Sequence, residues 1–280
     1  MTMMRTGQMQ KMRCQLNDTQ NSQIQYYLEL DDQPLLMNEL LGKEIYIQHL
    51  GAIHCSHCGR ATKKSFSQGY CYPCSKKLAQ CDLCMMSPDR CHFHLGTCRD
   101  EEFAKSVCFN EHFVYLANSS GIKVGITRAP QIPTRWMDQG AVEALPIFRV
   151  ATRRQSGLIE KVFSEHISDK TNWRKMLKGE TTDINLYELR DELMAKCKTE
   201  IDEIVSEYGL QDIQALDTVD SVALSYPVLE YPVKVSSHNL DKTARVSGVL
   251  KGIKGQYLIL DTGVINLRKY TSYNIELGLV

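Results

Sequence analysis

The sequence has no long apolar run, and no stretch approaches the roughly 20 apolar residues that a membrane-spanning helix needs. Its first residues, MTMMRTGQMQKMR, are polar and do not contain the apolar segment of a secretory signal peptide. Both absences favour a cytoplasmic protein, in which thiols stay reduced. The 11 cysteines therefore indicate metal binding rather than disulfides.

The chain also has no overall excess of charge, because its 33 basic and 33 acidic residues balance. The balance hides a local asymmetry: residues 53–178 contain 19 Lys/Arg and 11 Asp/Glu, whereas residues 179–220 contain 3 and 12. A basic middle section suits contact with a polyanion, although a solvated surface of mixed charge explains it equally well. The ordinary composition, 43% hydrophobic over 280 residues, predicts two or three globular domains.

Hydrophobic periodicity divides the chain into five predicted regions and indicates an α+β fold. Residues 7–16, 23–30 and 43–50 read as strands, and residues 184–208 carry apolar positions at helical spacing. The five regions are a β-rich N-terminal region (1–52), a cysteine-rich zinc ribbon or knuckle segment (53–110), a small mixed sheet with helices (111–178), an acidic helical segment (179–220) and a β-rich C-terminal region (221–280).

The central region shows a clear order of elements. Strands HFVYLAN and IKVGIT precede a short helix near residues 133–139, which we expect to end at Gly140 because glycine tolerates a left-handed helix end. A third strand, PIFRVAT, comes next, followed by a helix for which Ser156 is the predicted N-terminal cap.

Two Cys-x-x-Cys pairs form the strongest chemical signal. Cys55 and Cys58, followed by Cys71 and Cys74, allow four thiolates to converge tetrahedrally on one zinc. Gly59 follows the first pair, where a tight knuckle needs a residue without a side chain. A closed site of this kind is structural, because it leaves no position open for chemistry.

A second group of cysteines and histidines follows directly and predicts a second zinc. Its candidate ligands are Cys81, Cys84, Cys91, His94 and Cys98, with the first two as one half of the site. Spacing does not decide how the ligands are shared, and buried reduced cysteines are the alternative. Cys108 and His112 are candidates for a further cluster, His92 is the weakest ligand candidate, and Cys14 and Cys197 read as core residues.

Residues 112–177 resemble the GIY-YIG nuclease fold. Val114–Tyr115 and Val124–Gly125 stand where that family has its two short motifs, and the order of strands and helices agrees. The resemblance assigns Arg135, Glu160 and Asn172 to the positions of family site residues. Lys123 replaces the tyrosine of the second motif, which weakens the case for catalysis.

The resemblance implies a Mg²⁺-dependent endonuclease that acts on DNA or RNA. In that reading Glu160 holds Mg²⁺, Arg135 neutralises charge on the phosphate, and Asn172 holds backbone or substrate in place. Tyr115, or a water assisted by its tyrosinate, is the general base. Lys123 either replaces the motif tyrosine as a base with a depressed pKa or binds phosphate as a point charge. Two alternatives stay open: a nucleic-acid-binding module without hydrolysis, and a zinc-dependent scaffold for a protein partner. The whole chain also resembles an uncharacterised bacterial family that is known as a domain of unknown function.

Overall fold

The computed structural model describes residues 3–16, 23–30, 33–168 and 170–280, and it confirms an α+β fold. Parts of the predicted N-terminal region (1–2, 17–22 and 31–32) and residue 169 of the GIY-YIG-like region lie outside the described residues. The strands are β1 Met4–Gln8, β2 Arg13–Gln15, β3 Gln25–Leu30, β4 Gln33–Leu36, β5 Glu44–Ile53, β6 His112–Asn118, β7 Ile122–Arg128, β8 Glu143–Val150, β9 Ile213–Ala215, β10 Val222–Ala223, β11 Arg245–Lys254, β12 Tyr257–Leu260, β13 Gly263–Asn266 and β14 Tyr273–Leu279. The α-helices are α1 Tyr72–Lys77, α2 Glu101–Val107, α3 Thr134–Asp138, α4 Arg153–Ser164, α5 Trp173–Leu177, α6 Leu186–Lys196 and α7 Lys198–Tyr208.

The described residues form two compact units. The β-rich unit contains Met1–Lys76, Leu177–Gly179 and Leu224–Val280, and the mixed unit contains Lys77–Met176 and Glu180–Ala223. The predicted zinc segment is therefore shared, with its first two cysteine pairs in one unit and its later cysteines in the other. The predicted division into five regions stays a prediction.

Six antiparallel strands form the main sheet of the β-rich unit, in the order β1-β14-β5-β11-β12-β13. The N- and C-terminal regions thus share one sheet: in β5, Ile47 pairs with Val246 on one side and with Leu277 on the other. A second sheet, β2-β3-β4, contains the alternating strand QYYLEL, whose even positions are buried. This alternation is the pattern of a strand with one face on a core.

The first predicted strand, residues 7–16, is wrong as a single element. The chain leaves the main sheet after β1 and enters the second sheet at β2. Between them Met9 and Met12 are fully buried, and the amide of Gln256 bonds both the N–H and the carbonyl of Met12. Two buried methionines close together in sequence mark a crossing between sheets, which a strand pattern does not reveal.

In the mixed unit a sheet of order β10-β8-β6-β7 forms the core, with β9 also paired to β8. These strands pair antiparallel, and an isolated parallel bridge joins Lys123 to Ser168. The predicted strands at β6, β7 and β8 and the short helix α3 are confirmed. Gly140 follows α3 with a φ of 70°, as expected for a left-handed helix end.

Helix α4 begins earlier than predicted, so Ser156 is not its cap. Thr152 caps the helix by accepting a hydrogen bond from the backbone of Gln155, whose side chain bonds the backbone N–H of Thr152 in return. This reciprocal pair is a capping box. It sets the start of the helix at Thr152, so Ser156 lies inside the helix. Ile159 and Phe163 then face the core of the sheet.

The acidic segment forms two helices, α6 and α7, where the sequence suggested one helical stretch. They meet at Cys197, which is fully buried, as predicted for a core cysteine. Asn185 caps α6 by accepting from the N–H groups of Tyr187 and Glu188. None of the helices in the described part of the chain combines the length and the apolar character that a membrane-spanning helix requires.

Candidate metal centre and polar cluster

The first two cysteine pairs form a compact cluster in the β-rich unit. Cys55 lies just after β5, and its carbonyl accepts the N–H of Gly59 at 2.9 Å, closing the first knuckle. Gly59 has a φ of 69°, which confirms the predicted need for glycine. Cys71 precedes α1, and Cys74 lies within that helix. Two short turns therefore present their thiols to one point.

The spacing of the sulfurs fits a single zinc. The four Sγ atoms of Cys55, Cys58, Cys71 and Cys74 all lie within 4.8 Å of one another. The Sγ atoms of Cys58 and Cys71 are 3.8 Å apart. A tetrahedral site with Zn–S bonds of about 2.3 Å places its sulfurs about 3.8 Å apart. The cluster thus has the donor set and the dimensions of a structural zinc site.

The backbone around Cys55 favours its thiolate form. Burial by itself raises the pKa of this thiol. Hydrogen bonds from the N–H groups of Cys58, Cys71 and His57 outweigh burial and lower the pKa to about 6. Burial, followed by the neighbouring thiols, raises the pKa of Cys74 to about 12. Four thiols held this closely cannot all ionise without a cation, and a bound Zn²⁺ supplies that charge.

Hydrogen bonds join the knuckle loops to the residues that precede β14, the last strand of the same sheet. The hydroxyl of Ser272, which precedes β14, donates to the carbonyl of Gly69 and contacts the hydroxyl of Ser56 at 2.7 Å. Ser65 donates to the carbonyl of Thr271 at 3.2 Å. A metal bound at the cysteines would therefore stabilise the turn that leads into β14 as well as the loops.

The second cysteine group lies in the mixed unit and is less compact. In this segment of the described chain, the ligand atoms that meet within 4.8 Å belong to Asp82, Cys84 and His92. Of the predicted ligands this set contains Cys84 alone, and it includes His92, the weakest candidate. Asp82 already pairs with Arg99 at 2.6 Å, so a cation would have to compete with an arginine for the carboxylate. Zinc ligation by Cys81, Cys91, His94 and Cys98 stays a prediction.

A cluster of polar side chains lies at the centre of the mixed unit, around Tyr115. This residue, on the central strand β6, is fully buried and pairs with Gly125 of β7. A Cβ atom at position 125 would lie 2.7 Å from the Tyr115 hydroxyl, so only glycine leaves room for the ring. The ring also makes an edge contact with Trp136 of α3.

Gln139 joins two of the predicted site residues. Its Oε1 accepts hydrogen bonds from the Tyr115 hydroxyl at 2.8 Å and from the Lys123 ammonium at 2.6 Å. Lys123 is buried, whereas Gln139 is half-buried. The sequence analysis missed Gln139, although it lies four residues after Arg135 and therefore on the same helix face.

The charges of Arg135 and Glu160 also affect the pKa of Tyr115. Burial raises the pKa of Tyr115 to about 12, Glu160 adds to this rise, and the charge and a hydrogen bond of Arg135 oppose it. Both charged side chains are half-buried. The structure thus brings together Tyr115, Lys123, Arg135 and Glu160, which are near neighbours although up to 45 positions separate them in the sequence.

Asn172 has a local role in the structure. It is exposed, its side chain accepts the N–H of Lys175 at the start of α5, and its backbone N–H donates to Ser120. Within the described residues these contacts lie at the start of α5 and in the turn between β6 and β7, so the assignment of Asn172 as a site residue stays a prediction.

Arg153, at the start of α4, was not among the predicted residues. Burial lowers the pKa of its guanidinium, and the charges of Cys108, Arg135 and Glu160 also act on it. Its Nη2 donates to the carbonyl of Met85 at 2.8 Å. The adjacent arginines Arg153 and Arg154 at the start of a helix were the sequence feature that could have indicated this residue. Arg153 connects the second cysteine group with the polar cluster.

The chain belongs to the family described as "Protein of unknown function (DUF2797)", which matches residues 42–275. This match confirms the resemblance to a family of unknown function and covers both cysteine groups and the polar cluster. No curated protein and no solved structure matches the chain significantly. Because the family description names no activity, function has to be argued from the site.

Proposed function

We propose that this chain is a zinc-stabilised, cytoplasmic nucleic-acid-binding protein whose mixed unit binds and hydrolyses a phosphodiester of DNA or RNA at the polar cluster around Tyr115. The observation that carries the proposal is the proximity of the buried Tyr115 and Lys123 to the half-buried Arg135 and Glu160. The GIY-YIG resemblance of residues 112–177 supports it, because Tyr115, Arg135, Glu160 and Asn172 follow the order of that family's site residues. Lys123, in place of the second-motif tyrosine, departs from the family.

Each residue of the cluster has a separate role in the proposed reaction. Arg135 is half-buried and donates charge-assisted hydrogen bonds to the phosphate oxygens. Lys123 and Tyr115 both hold the Gln139 carbonyl, which fixes its amide nitrogen as a further donor toward the phosphate. With its pKa raised to about 12, Tyr115 stays protonated at neutral pH and serves as a hydrogen-bond donor rather than as the resting base.

Glu160 is the candidate ligand for Mg²⁺. Arg135 and Arg153 lie near its carboxylate and oppose a bare cation, so the donor set fits Mg²⁺ when a substrate phosphate supplies further oxygens. When bound, the metal supplies charge stabilisation for the phosphate and the leaving oxygen. Without it, the half-buried Glu160 carboxylate can accept a proton from the attacking water.

Binding and cleavage test the proposal separately. We expect labelled single-stranded and duplex DNA and RNA to bind with an affinity that falls steeply as salt rises. Arg135→Ala should weaken binding about tenfold, which corresponds to the loss of a charge-assisted contact. Arg149→Ala is the matched control, because Arg149 is exposed and pairs with Glu111 in the same unit.

Glu160→Gln should bind as the wild type does but lose Mg²⁺-dependent cleavage. Salt-sensitive binding without cleavage by the wild type would favour the non-catalytic module, which the substitution of Lys123 for the motif tyrosine supports. If Arg135→Ala binds like wild type, the site assignment is wrong. If the protein binds no nucleic acid, the remaining alternative is a zinc-dependent scaffold for a protein partner.

A further inference from the structure

Three different types of metal ligand meet in the mixed unit, in the segment that precedes α2. The ligand atoms of Asp82, Cys84 and His92 all lie within 4.8 Å of one another. Carboxylate, thiolate and imidazole are the side-chain groups that bind zinc in proteins. The three side chains are partly buried, and that of Asp82 is only 11% exposed. The group is therefore a candidate metal site with mixed donors, unlike the four thiols of the β-rich unit.

Two tight turns place these side chains. The carboxylate of Asp82 accepts a hydrogen bond from the N–H of Cys84 at 3.4 Å, which holds it over the residue two positions later. His92 begins a second turn, which ends at Gly96 with a φ of 68°. This turn brings the hydroxyl of Thr97 to 2.8 Å from Nδ1 of His92. Local backbone structure thus orients both the carboxylate and the imidazole.

The hydrogen bonds of Thr97 determine which nitrogen of His92 can bind a metal. The Thr97 hydroxyl donates its single hydrogen to the carbonyl of His92 at 3.3 Å. Its oxygen therefore accepts the hydrogen bond from Nδ1–H, which leaves a lone pair on Nε2 of the neutral ring. A metal-binding histidine is usually held in this way, by a hydrogen bond through its other nitrogen.

Nε2 of His92 lies beside a carboxylate oxygen. It is 3.5 Å from Oδ1 of Asp82. This separation exceeds the usual N–H···O distance of about 2.7–3.2 Å. It is close to the separation of about 3.3 Å between two such ligands on one tetrahedral zinc, each about 2.0–2.1 Å from the metal. Two neighbouring acceptors need a proton or a cation between them, and the nearby Sγ of Cys84 favours the cation.

Arg99 holds the other oxygen of this carboxylate. Its Nε lies 2.6 Å from Oδ2 of Asp82, and its Nη1 donates to the carbonyl of Leu78 at 3.2 Å. Because this ion pair uses Oδ2, a metal at Oδ1 shares the carboxylate with Arg99 instead of displacing it. A partner of this kind fixes the direction of a ligand carboxylate, as is usual around protein metal ions.

A small cavity adjoins the three ligands. It is lined by charged, imidazole and thiol side chains, which include Asp82, Cys84, His92, Cys98, Arg99 and Cys108. Its volume of about 20 Å³ is enough for one water molecule or one ion. In the described part of the chain, the group of ligand atoms within 4.8 Å does not extend to Cys98 or Cys108. The thiol of Cys98 donates instead to the carbonyl of Asp100 at 3.4 Å.

We propose that Asp82, Cys84 and His92 bind a second zinc ion, whose fourth coordination position faces the cavity and holds a water molecule. Three protein ligands and one open position are typical of a zinc that can exchange a ligand, whereas four thiolates close the first site. Of the ligands expected from spacing, this set keeps Cys84 alone. The inference does not depend on the proposed nuclease activity.

The first test is the metal content of the full chain, loaded with zinc and freed of loosely bound metal by gel filtration. We expect two zincs per chain, measured by elemental analysis and by native mass spectrometry. His92→Ala and Cys84→Ser should each lose one zinc and keep the other. Cys58→Ser should lose the zinc of the four-thiol site and keep this one. A single zinc in the wild-type chain overturns the proposal, and a proton then joins His92 to Asp82.

His94→Ala and Cys81→Ser are the matched controls, because they remove a histidine and a thiol of the same segment that the proposal leaves out. Both should keep two zincs. Loss of a zinc in His94→Ala, with retention in His92→Ala, overturns the ligand set in favour of the one expected from spacing.

Thr97→Val tests the orientation of the imidazole. Without the hydroxyl, the affinity of this site for zinc should fall about tenfold in competition with a chelator. The four-thiol site of the same protein should keep its affinity. An unchanged affinity at the mixed site contradicts binding through Nε2 of His92.

X-ray absorption at the zinc edge tests the open position. In Cys58→Ser, where the proposed site alone keeps its metal, we expect one sulfur neighbour and three nitrogen or oxygen neighbours. Two or more sulfurs would show that Cys98 or Cys108 closes the site, and would overturn the open position. The wild-type chain should show five sulfurs and three lighter neighbours over its two zincs, a result that does not rely on any variant to fold.

Discussion

The two units of this protein each contain a group of cysteines, but the sulfurs are arranged differently. In the β-rich unit two knuckles bring them to within 4.8 Å of one another, with Cys58 and Cys71 at 3.8 Å. In the mixed unit the ligand atoms that come within 4.8 Å of one another belong to Asp82, Cys84 and His92, and Asp82 also pairs with Arg99. The spacing of the ligand atoms therefore distinguishes a compact four-thiol site from a looser group, a difference that cysteine counting does not reveal.

The units also differ in how they bury a lysine. Lys123 of the mixed unit donates to Gln139 within the polar cluster. Lys254 of the β-rich unit is fully buried, its Nζ has no hydrogen-bond partner among the described residues, and it lies over the rings of Tyr226 and Tyr231. A buried lysine within a polar network is a candidate for a functional role, whereas one packed between aromatic rings is a candidate for a structural role.

The largest expected effect comes from removing a thiol of the compact cluster. Cys71→Ser should abolish zinc binding at this cluster and destabilise the β-rich unit by about 5 kcal/mol or more, because structural zinc contributes folding free energy directly. Elemental analysis and urea unfolding measure both effects. Cys14→Ala, which removes another buried cysteine of this unit, should keep the zinc. Equal zinc loss in both variants would contradict the assignment.

The next effect concerns the contact between α4 and the second cysteine segment. A Cβ atom on Gly157 would lie 2.6 Å from the backbone nitrogen of Asp89 and 2.6 Å from Pro88. Gly157→Ala should therefore destabilise the mixed unit by about 2 kcal/mol despite the better helix propensity of alanine. Lys161→Ala, on the exposed face of α4, is the control, and thermal unfolding compares the two. A stabilised Gly157→Ala would show that this segment is not tightly packed.

A smaller effect of opposite sign is expected at Lys254. Burial lowers the pKa of its ammonium to about 8 from the usual 10.5. The charged form thus destabilises the folded state below pH 8, and this cost disappears as pH rises from about 8 to about 10.5. Lys254→Met should stabilise the unit by about 1–2 kcal/mol at pH 7, since the aromatic rings offset part of the cost.

Urea unfolding at pH 7 and pH 10.5 measures the difference. The gain should shrink at the higher pH. Lys251→Met, on the same strand but paired with Glu230 at 3.2 Å, should show no comparable change with pH. A destabilised Lys254→Met at pH 7 would mean that the aromatic contacts outweigh burial.

The smallest expected effect is that of Tyr115→Phe on stability. It removes one hydrogen bond to Gln139, but Lys123 still donates to the same oxygen, so the loss should be about 1 kcal/mol or less. Its effect on Mg²⁺-dependent cleavage should be at least tenfold if the hydroxyl positions Gln139 for the phosphate. Equal cleavage by the variant would limit Tyr115 to packing.

Several features of both units could be predicted because their signals are local. The alternating strands, the left-handed Gly140 and the Cys-x-x-Cys pairs each depend on residues a few positions apart. The capping box of Thr152 and Gln155 was equally local and was overlooked in favour of Ser156. The site that the ordered motifs predict at Tyr115, Arg135 and Glu160 stays a prediction.

The remaining features depend on contacts between distant residues. Gln139 and Arg153 became visible only when strands, helices and the cysteine segment had been placed together. The crossing of the chain at Met9 and Met12 depends on Gln256, 244 positions away from the latter. Sulfur spacing in the second cysteine group is likewise a tertiary property. Sequence spacing restricts such arrangements without choosing one.

The pairing of β1 with β14 has a consequence for synthesis on the ribosome. Residues 4–8 find their partners at 274–278, so the first strand to emerge has to wait for the last. The mixed unit, which lies between residues 77 and 223, has no such delay and can fold while the C-terminal strands are still being made. Until then β1 has no partner strand, and its free backbone groups are open to pairing with other chains.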